Sequence, residues 1–292
     1  MLAPALFLGV LLLLLSRSLR AKLQLLISDK PALIFLAPAL LTVVFCATAN
    51  SYSCLTWRLA FLVLVYSFLP AVCVYAQIAL HKTRTASWLD LAAILMLWLP
   101  LEFSAGASLV PRSAQGVLHA TAYGVAVTLG VVLFLLARRW DGMRYMLPRS
   151  LLDFRNILLG YFASALLLIP FGLWIGFLAH PHSPRVSLRT AVFRILLIFC
   201  GTAFPEEILF RALVQNWFTQ RFQQQWKAVV VNGIIFGASH LNNAPGPLPN
   251  LRYMAVATIA GLIFGTVFLR STSIFASTTV HTAVNATKYL FF

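Results

Sequence analysis

Glu206 and Glu207 stand side by side deep in an apolar stretch, FRILLIFCGTAFPEEILFRALVQNWF. An ionisable side chain in such a stretch is costly, so two adjacent carboxylates point to function. Their spacing to other residues separates their roles. Glu207 and Arg211 are four apart and share a helix face, with the acid before the base, the favourable order for a pair. Glu206 is turned about 100° away on a 3.6-residue helix, so it projects elsewhere. Arg211 can neutralise Glu207 and leave Glu206 for chemistry. The plainer alternative is a buried ion pair that fixes helix registry, with Glu206 a surplus carboxylate at a water-filled cavity. Pro205 precedes both and has no N–H to give, so it kinks the helix or opens a new one.

Two histidines also fall in apolar runs. His240 ends NGIIFGASH, one turn after Phe236. His281 and Asn285 are four apart in TTVHTAVNATKY, so they too share a face. Depth ties the set together. Glu206 lies about 18 Å from the loop that starts at position 218, at 1.5 Å per helical residue. On the same rule His240 is about 20 Å beyond Lys227, and His281 and Asn285 are about 12–18 Å beyond Ser273. Three separate runs therefore bring a carboxylate, two imidazoles and an amide to similar depth. A carboxylate beside an imidazole can deprotonate water. A second imidazole and an amide can donate to an oxyanion. That chemistry is hydrolysis of an amide within a membrane. The same atoms could instead hold a divalent metal through Glu and two His, although no HExxH occurs. Ser239 sits in Gly-Ala-Ser-His-Leu, which is not the GxSxG of a nucleophilic serine.

The elements that must carry these residues are read from composition. Of 292 residues, 61% are apolar and only 10% charged. That excludes an ordinary water-soluble globule and a disordered chain. Apolar runs cover 1–15, 31–48, 56–80, 88–109, 117–137, 157–179, 188–217, 228–241, 253–269 and 274–291. The expected fold class is all-α, a polytopic transmembrane helical bundle of about eight to ten spans. The formal charge of +15 sits mostly between these runs, where it orients helices and meets anionic lipid headgroups, so nucleic acid is not an expected partner. Alternate loops are basic: 16–30, 81–86 with Lys82 and Arg84, 138–156, 218–227 and the turn at Arg270. This pattern predicts both termini outside, with Arg185 a mild exception. Asp29, Asp141 and Asp153 read as loop residues. Asp90 and Glu102 read as interfacial, without a visible partner. The four cysteines show no CxxC and predict neither disulfides nor a zinc site. The segment from Asn242 to Asn250 reads as a proline-rich linker.

Glu206-Glu207-Ile208-Leu209-Phe210-Arg211 resembles an EExxxR motif, Phe236 to His240 an FxxxH motif, and His281 to Asn285 an HxxxN motif. In this order they resemble the CPBP family of glutamic intramembrane proteases. That family includes the type II CAAX prenyl endopeptidases and bacterial bacteriocin-processing or Abi-type proteins. The likeness covers about residues 150–292. It implies a multi-pass protease of a bacterial inner membrane, acting on a membrane-embedded or lipidated protein or peptide. It implies no cofactor and no obligatory metal. By analogy Glu206 and His240 activate water, His281 and Asn285 form the oxyanion site, and Glu207 and Arg211 organise it.

The expected division is an amino-terminal set of helices of unassigned role, 1–145, and a catalytic region, 146–292. Two other function classes use the same residues. A proton-coupled transporter would need intramembrane acids and histidines, but here they cluster in late runs. A non-catalytic scaffold or maturation factor would bury them as a structural network.

Overall fold

The computed structural model describes residues 2–81, 85–184, 186–243 and 248–292. Within them every regular element is helical. Lys82, Arg84, Arg185 and the linker's Ala244 to Pro247 lie outside the described residues. The chain divides into two compact units, Met1–Gly142 and Met143–Phe292.

In the first unit, α1 (Leu2–Leu13) bends by 92° into α2 (Arg17–Asp29), whose first turn is capped by the Ser16 side chain. Then come α3 (Leu36–Ser51), α4 (Trp57–His81), α5 (Trp88–Glu102) and α6 (Arg112–Val131). The last of these runs on through a π-helical stretch, Val132–Ala137. Thr121, Thr128 and Gly130 of α6 are buried, and α6 with its extension is the unit's most buried span. At its end Arg138 meets Asp90 of α5. Nε lies 2.7 Å from Oδ1 and Nη2 2.9 Å from Oδ2, and both side chains are buried. Asp90 also closes a capping box with Ser87. The interfacial, partnerless reading of Asp90 is therefore corrected: its partner lies 48 residues on, beyond any local pattern.

The second unit holds α7 (Leu151–Trp174) and then a long interrupted helix. This runs as α8 (Leu188–Ile198), a π-helical turn Phe199–Ala203, α9 (Phe204–Glu207), a π-helical segment Ile208–Gln215 and α10 (Asn216–Arg221). Pro205 neither stops nor starts the helix. The wide turn just before it absorbs the bond that proline cannot make. Three helices follow: α11 (Gln225–Ala238), α12 (Leu251–Arg270) and α13 (Ile274–Phe291).

Five stretches are long and apolar enough to cross a membrane: Pro31–Ser51, Trp57–Leu80, Arg112–Ala137, Leu151–Trp174 and Leu251–Arg270. The bent α1–α2 pair makes up to six. Leu151, Phe162, Leu166 and Trp174 of α7 are exposed, an apolar surface that suits lipid and not water.

Two devices fix the site's helices. The first is a strap from α7 to the turn before α13. Asp153, read as a loop residue, is the third residue of α7 and boxes with Ser150. Its Oδ1 accepts from the Thr272 amide at 2.6 Å and its Oδ2 from the Thr272 hydroxyl at 2.7 Å. Asn156 donates to the Arg270 carbonyl at 2.9 Å. The second is close approach of α11 and α12, the most extensive helix contact in the chain. A Cβ at Gly237 would overlap Thr258 Oγ1 and lie 2.7 Å from the Met254 carbonyl oxygen, while one at Gly261 would lie 3.1 Å from Gly233 Cα. Glycine is required at that crossing.

Candidate active site

The three sequence motifs meet in the second unit. Glu206 on α9, His240 just past α11, and His281 and Asn285 on α13 line one cavity of about 230 Å³. The adjacent glutamates are separated as their helix phase predicts. The Glu206 side chain keeps 19% of its exposure, on the cavity wall, whereas Glu207 has none.

Glu207 is sealed beneath the cavity, with Arg211 and His281 among its partners. Its Oε2 lies 3.2 Å from Arg211 Nε, both side chains fully buried. Its Oε1 lies 3.1 Å from His281 Nδ1. Among the described residues no acceptor meets the Arg211 guanidinium nitrogens in hydrogen-bond geometry, so the pair is held by charge and by aromatic faces. The guanidinium carbon sits 4.7 Å from the Phe236 ring centroid and 5.8 Å from that of Phe264. A desolvated cation gains from such faces.

Phe236 explains the aromatic in the FxxxH motif. Besides Arg211 it meets His240 edge-on at 4.8 Å and His281 edge-on at 5.8 Å. One ring thus spaces the cation and both imidazoles. Phe264 stacks on His281 at 4.6 Å. His240 Nδ1 lies 2.8 Å from the Phe236 carbonyl oxygen. A carbonyl only accepts, so Nδ1 carries the proton and Nε2 keeps a lone pair. The Tyr253 ring closes on His240 at 4.6 Å.

His281 faces both carboxylates, with Nδ1 on Glu207 and Nε2 3.7 Å from Glu206 Oε2. No local pattern foretells this second contact. Ser239 donates to the Phe236 carbonyl at 2.8 Å and does not line the cavity. Among the described residues no three His, Cys, Asp or Glu are grouped as a metal ligand set.

Sequence reasoning missed several wall residues: Tyr161, bonded to Thr287 at 2.9 Å, as well as Tyr253, Phe264 and Lys288. It also missed a buried support below Arg211. Gln215 donates to the Gly265 carbonyl at 2.9 Å and accepts from Asn232 at 3.3 Å. Gln215 and Asn232 are polar residues each about one turn from a named motif, Gln215 four after Arg211 and Asn232 four before Phe236, which was the available signal.

Comparison with known families bears on this same segment. Residues 188–287 match the Rce1-like family of type II CAAX prenyl endopeptidases. The match starts with α8 and ends in α13, so all seven motif residues fall inside it. It agrees with the CPBP and CAAX-protease resemblance of the three motifs. No curated protein and no solved structure matches the chain. With the apolar helices, the Rce1-like match supports a multi-pass integral membrane protein and a CAAX-type intramembrane protease in general, with a membrane-associated protein or peptide as substrate.

Proposed function

We propose that the second unit is a glutamic-type endopeptidase that hydrolyses a peptide bond of a membrane-embedded or lipidated substrate without a metal. Glu206 and His240 Nε2 take the proton of a water in the cavity as it attacks the scissile carbonyl. His281 and Asn285, four apart on α13, donate to the oxyanion. Glu207 and Arg211 hold the helix and orient His281 through its Nδ1. His240 then returns a proton to the leaving amine. The basic loops rest against anionic headgroups, and the cell membrane of a bacterium is the expected setting, by likeness to the bacterial members of the family.

The observation that carries this reading is the division between the two glutamates. One is paired and sealed, and its neighbour stands on the wall of a cavity with two imidazoles and an amide. The test is comparison of protein termini in membranes that carry wild type or Glu206→Gln, followed by cleavage of the identified substrate in reconstituted protein. New termini that depend on Glu206 are expected. Identical termini with both proteins would refute the reading.

A further inference from the structure

His281, Asn285 and Lys288 are spaced by four and three residues, so one face of α13 presents all three, and all three line the cavity. The proteolytic reading gives work to the first two only. Lys288 is an exposed residue that lines the cavity. A lysine near a helix end ordinarily extends its ammonium towards water or headgroups. Here the ammonium is turned onto aromatic rings instead. Nζ lies 4.1 Å from the Phe177 centroid and 5.0 Å from the Tyr253 centroid, and both rings line the same cavity. Among the described residues no carboxylate lies within 4.0 Å of it. The ring faces fix a cation in place without accepting ordinary hydrogen bonds from its three N–H donors.

We propose that Lys288 is a specificity-determining residue that binds a carboxylate of the peptide substrate. This rests on the proteolytic reading of the cavity. Seven residues of helix place Lys288 about 10 Å along α13 from His281. A peptide whose scissile carbonyl meets His281 and Asn285 therefore reaches Lys288 within a few residues of extended chain. The anion that a peptide brings there is a carboxylate, either at its chain end or on an Asp or Glu side chain. The two rings hold the ammonium at a fixed point, so the contact registers the chain as well as attracting it.

The experiment uses the full-length protein reconstituted in neutral-lipid vesicles and a synthetic peptide library. Each peptide is made with a free carboxyl terminus, with an amidated terminus, and with internal Asp and Glu replaced by Asn and Gln. Cleavage is measured with wild type, and binding is measured separately by fluorescence anisotropy with Glu206→Gln protein. The expected preference for the carboxylate form is roughly ten- to hundredfold in KM and in Kd, the range of a hydrogen bond to a charged group. Lys288→Gln brings that ratio towards one. Lys288→Arg keeps most of it. Lys288→Glu reverses it in favour of peptides that carry an amine at the same place. The form that loses the preference identifies chain end or side chain as the source. A ratio equal in wild type and Lys288→Gln by both readouts overturns the proposal, even if Lys288→Gln melts lower, since a purely structural lysine would do that. Absence of any cleavage refutes proteolysis and not Lys288, because the binding arm still reads the carboxylate ratio.

Discussion

Glu207 and His281, 74 residues apart in sequence, are joined by a 3.1 Å contact between Oε1 and Nδ1. The first motif and the third are thereby one unit. Arg211 on the other oxygen of Glu207 completes a buried chain from guanidinium to imidazole. The imidazole reaches the cavity with its remaining nitrogen, 3.7 Å from Glu206. A change at Arg211 is therefore felt at the cavity wall through two contacts.

Arg211→Ala leaves Glu207 buried without its cation. Breaking a buried pair by removing one partner costs roughly 3–5 kcal/mol. The variant should melt lower in detergent and lose activity. The double variant Glu207→Gln with Arg211→Met should regain part of the stability and none of the activity. Melting curves of the single and double variants check this. An Arg211→Ala protein that melts like wild type contradicts the ion-pair role.

Gly237 sits inside the FxxxH motif without touching the cavity. Its place is set by α12, since a Cβ there would overlap Thr258 Oγ1. Overpacking a close contact costs about 1–3 kcal/mol. Gly237→Ala should lower the melting temperature moderately, and Gly237→Val should reduce yield of folded protein. Gly201, whose Cβ would meet nothing within 4 Å, is the control, and Gly201→Ala should fold as well as wild type.

The local part of this site was legible because its signals are local. Glu207 and Arg211 are four apart, and the 100° step to Glu206 follows from the helix itself. His281 and Asn285 are legible on the same ground. Long-range partners were not. Nothing near Asp90 shows that Arg138 will cover it. Nothing near His281 shows that both of its nitrogens will face glutamates. Phe264 and Tyr253 were hidden for another reason. An aromatic residue in an apolar helix has the same type and period whether it faces lipid, core or cavity. The π-helical turns around Pro205 also escaped a reading based on a 3.6-residue period.

Asp90 and Arg138 make the same kind of pair in the first unit, with a bidentate fork and burial on both sides. Arg138→Leu should leave Asp90 uncompensated and cost about 3–5 kcal/mol. Because the pair lies wholly within Met1–Gly142, new sites of limited proteolysis should appear there first. Cleavage confined to residues beyond 142 would contradict this assignment.

Metal removal is expected to change nothing. A Glu–His pair activates water by proton transfer and needs no Lewis acid. Reconstituted protein should keep its peptidase activity through treatment with EDTA and then phenanthroline. Activity lost to phenanthroline and restored by zinc would move Glu206 and the histidines to ligand roles.

The sharpest distinction lies between two neighbouring, identical side chains. Glu206→Gln keeps the shape of a side chain that stands on the cavity wall, and removes only the base. Glu207→Gln removes one charge of a sealed pair and weakens the acceptor of His281 Nδ1. Both should abolish turnover, but only Glu207→Gln should lower the melting temperature clearly. His240→Gln should resemble Glu206→Gln, because the lone pair on Nε2 exists only while Nδ1–H is held by the Phe236 carbonyl. Asn285→Ala removes one oxyanion donor and should cost about 10²–10³ in kcat, with folding intact, since Asn285 lies at the cavity wall and outside the Glu207 cluster. The four variants are compared by kcat on one identified substrate and by melting in the same detergent. Turnover by Glu206→Gln at the wild-type rate refutes the glutamic mechanism. Equal destabilisation of Glu206→Gln and Glu207→Gln refutes the division of labour between them.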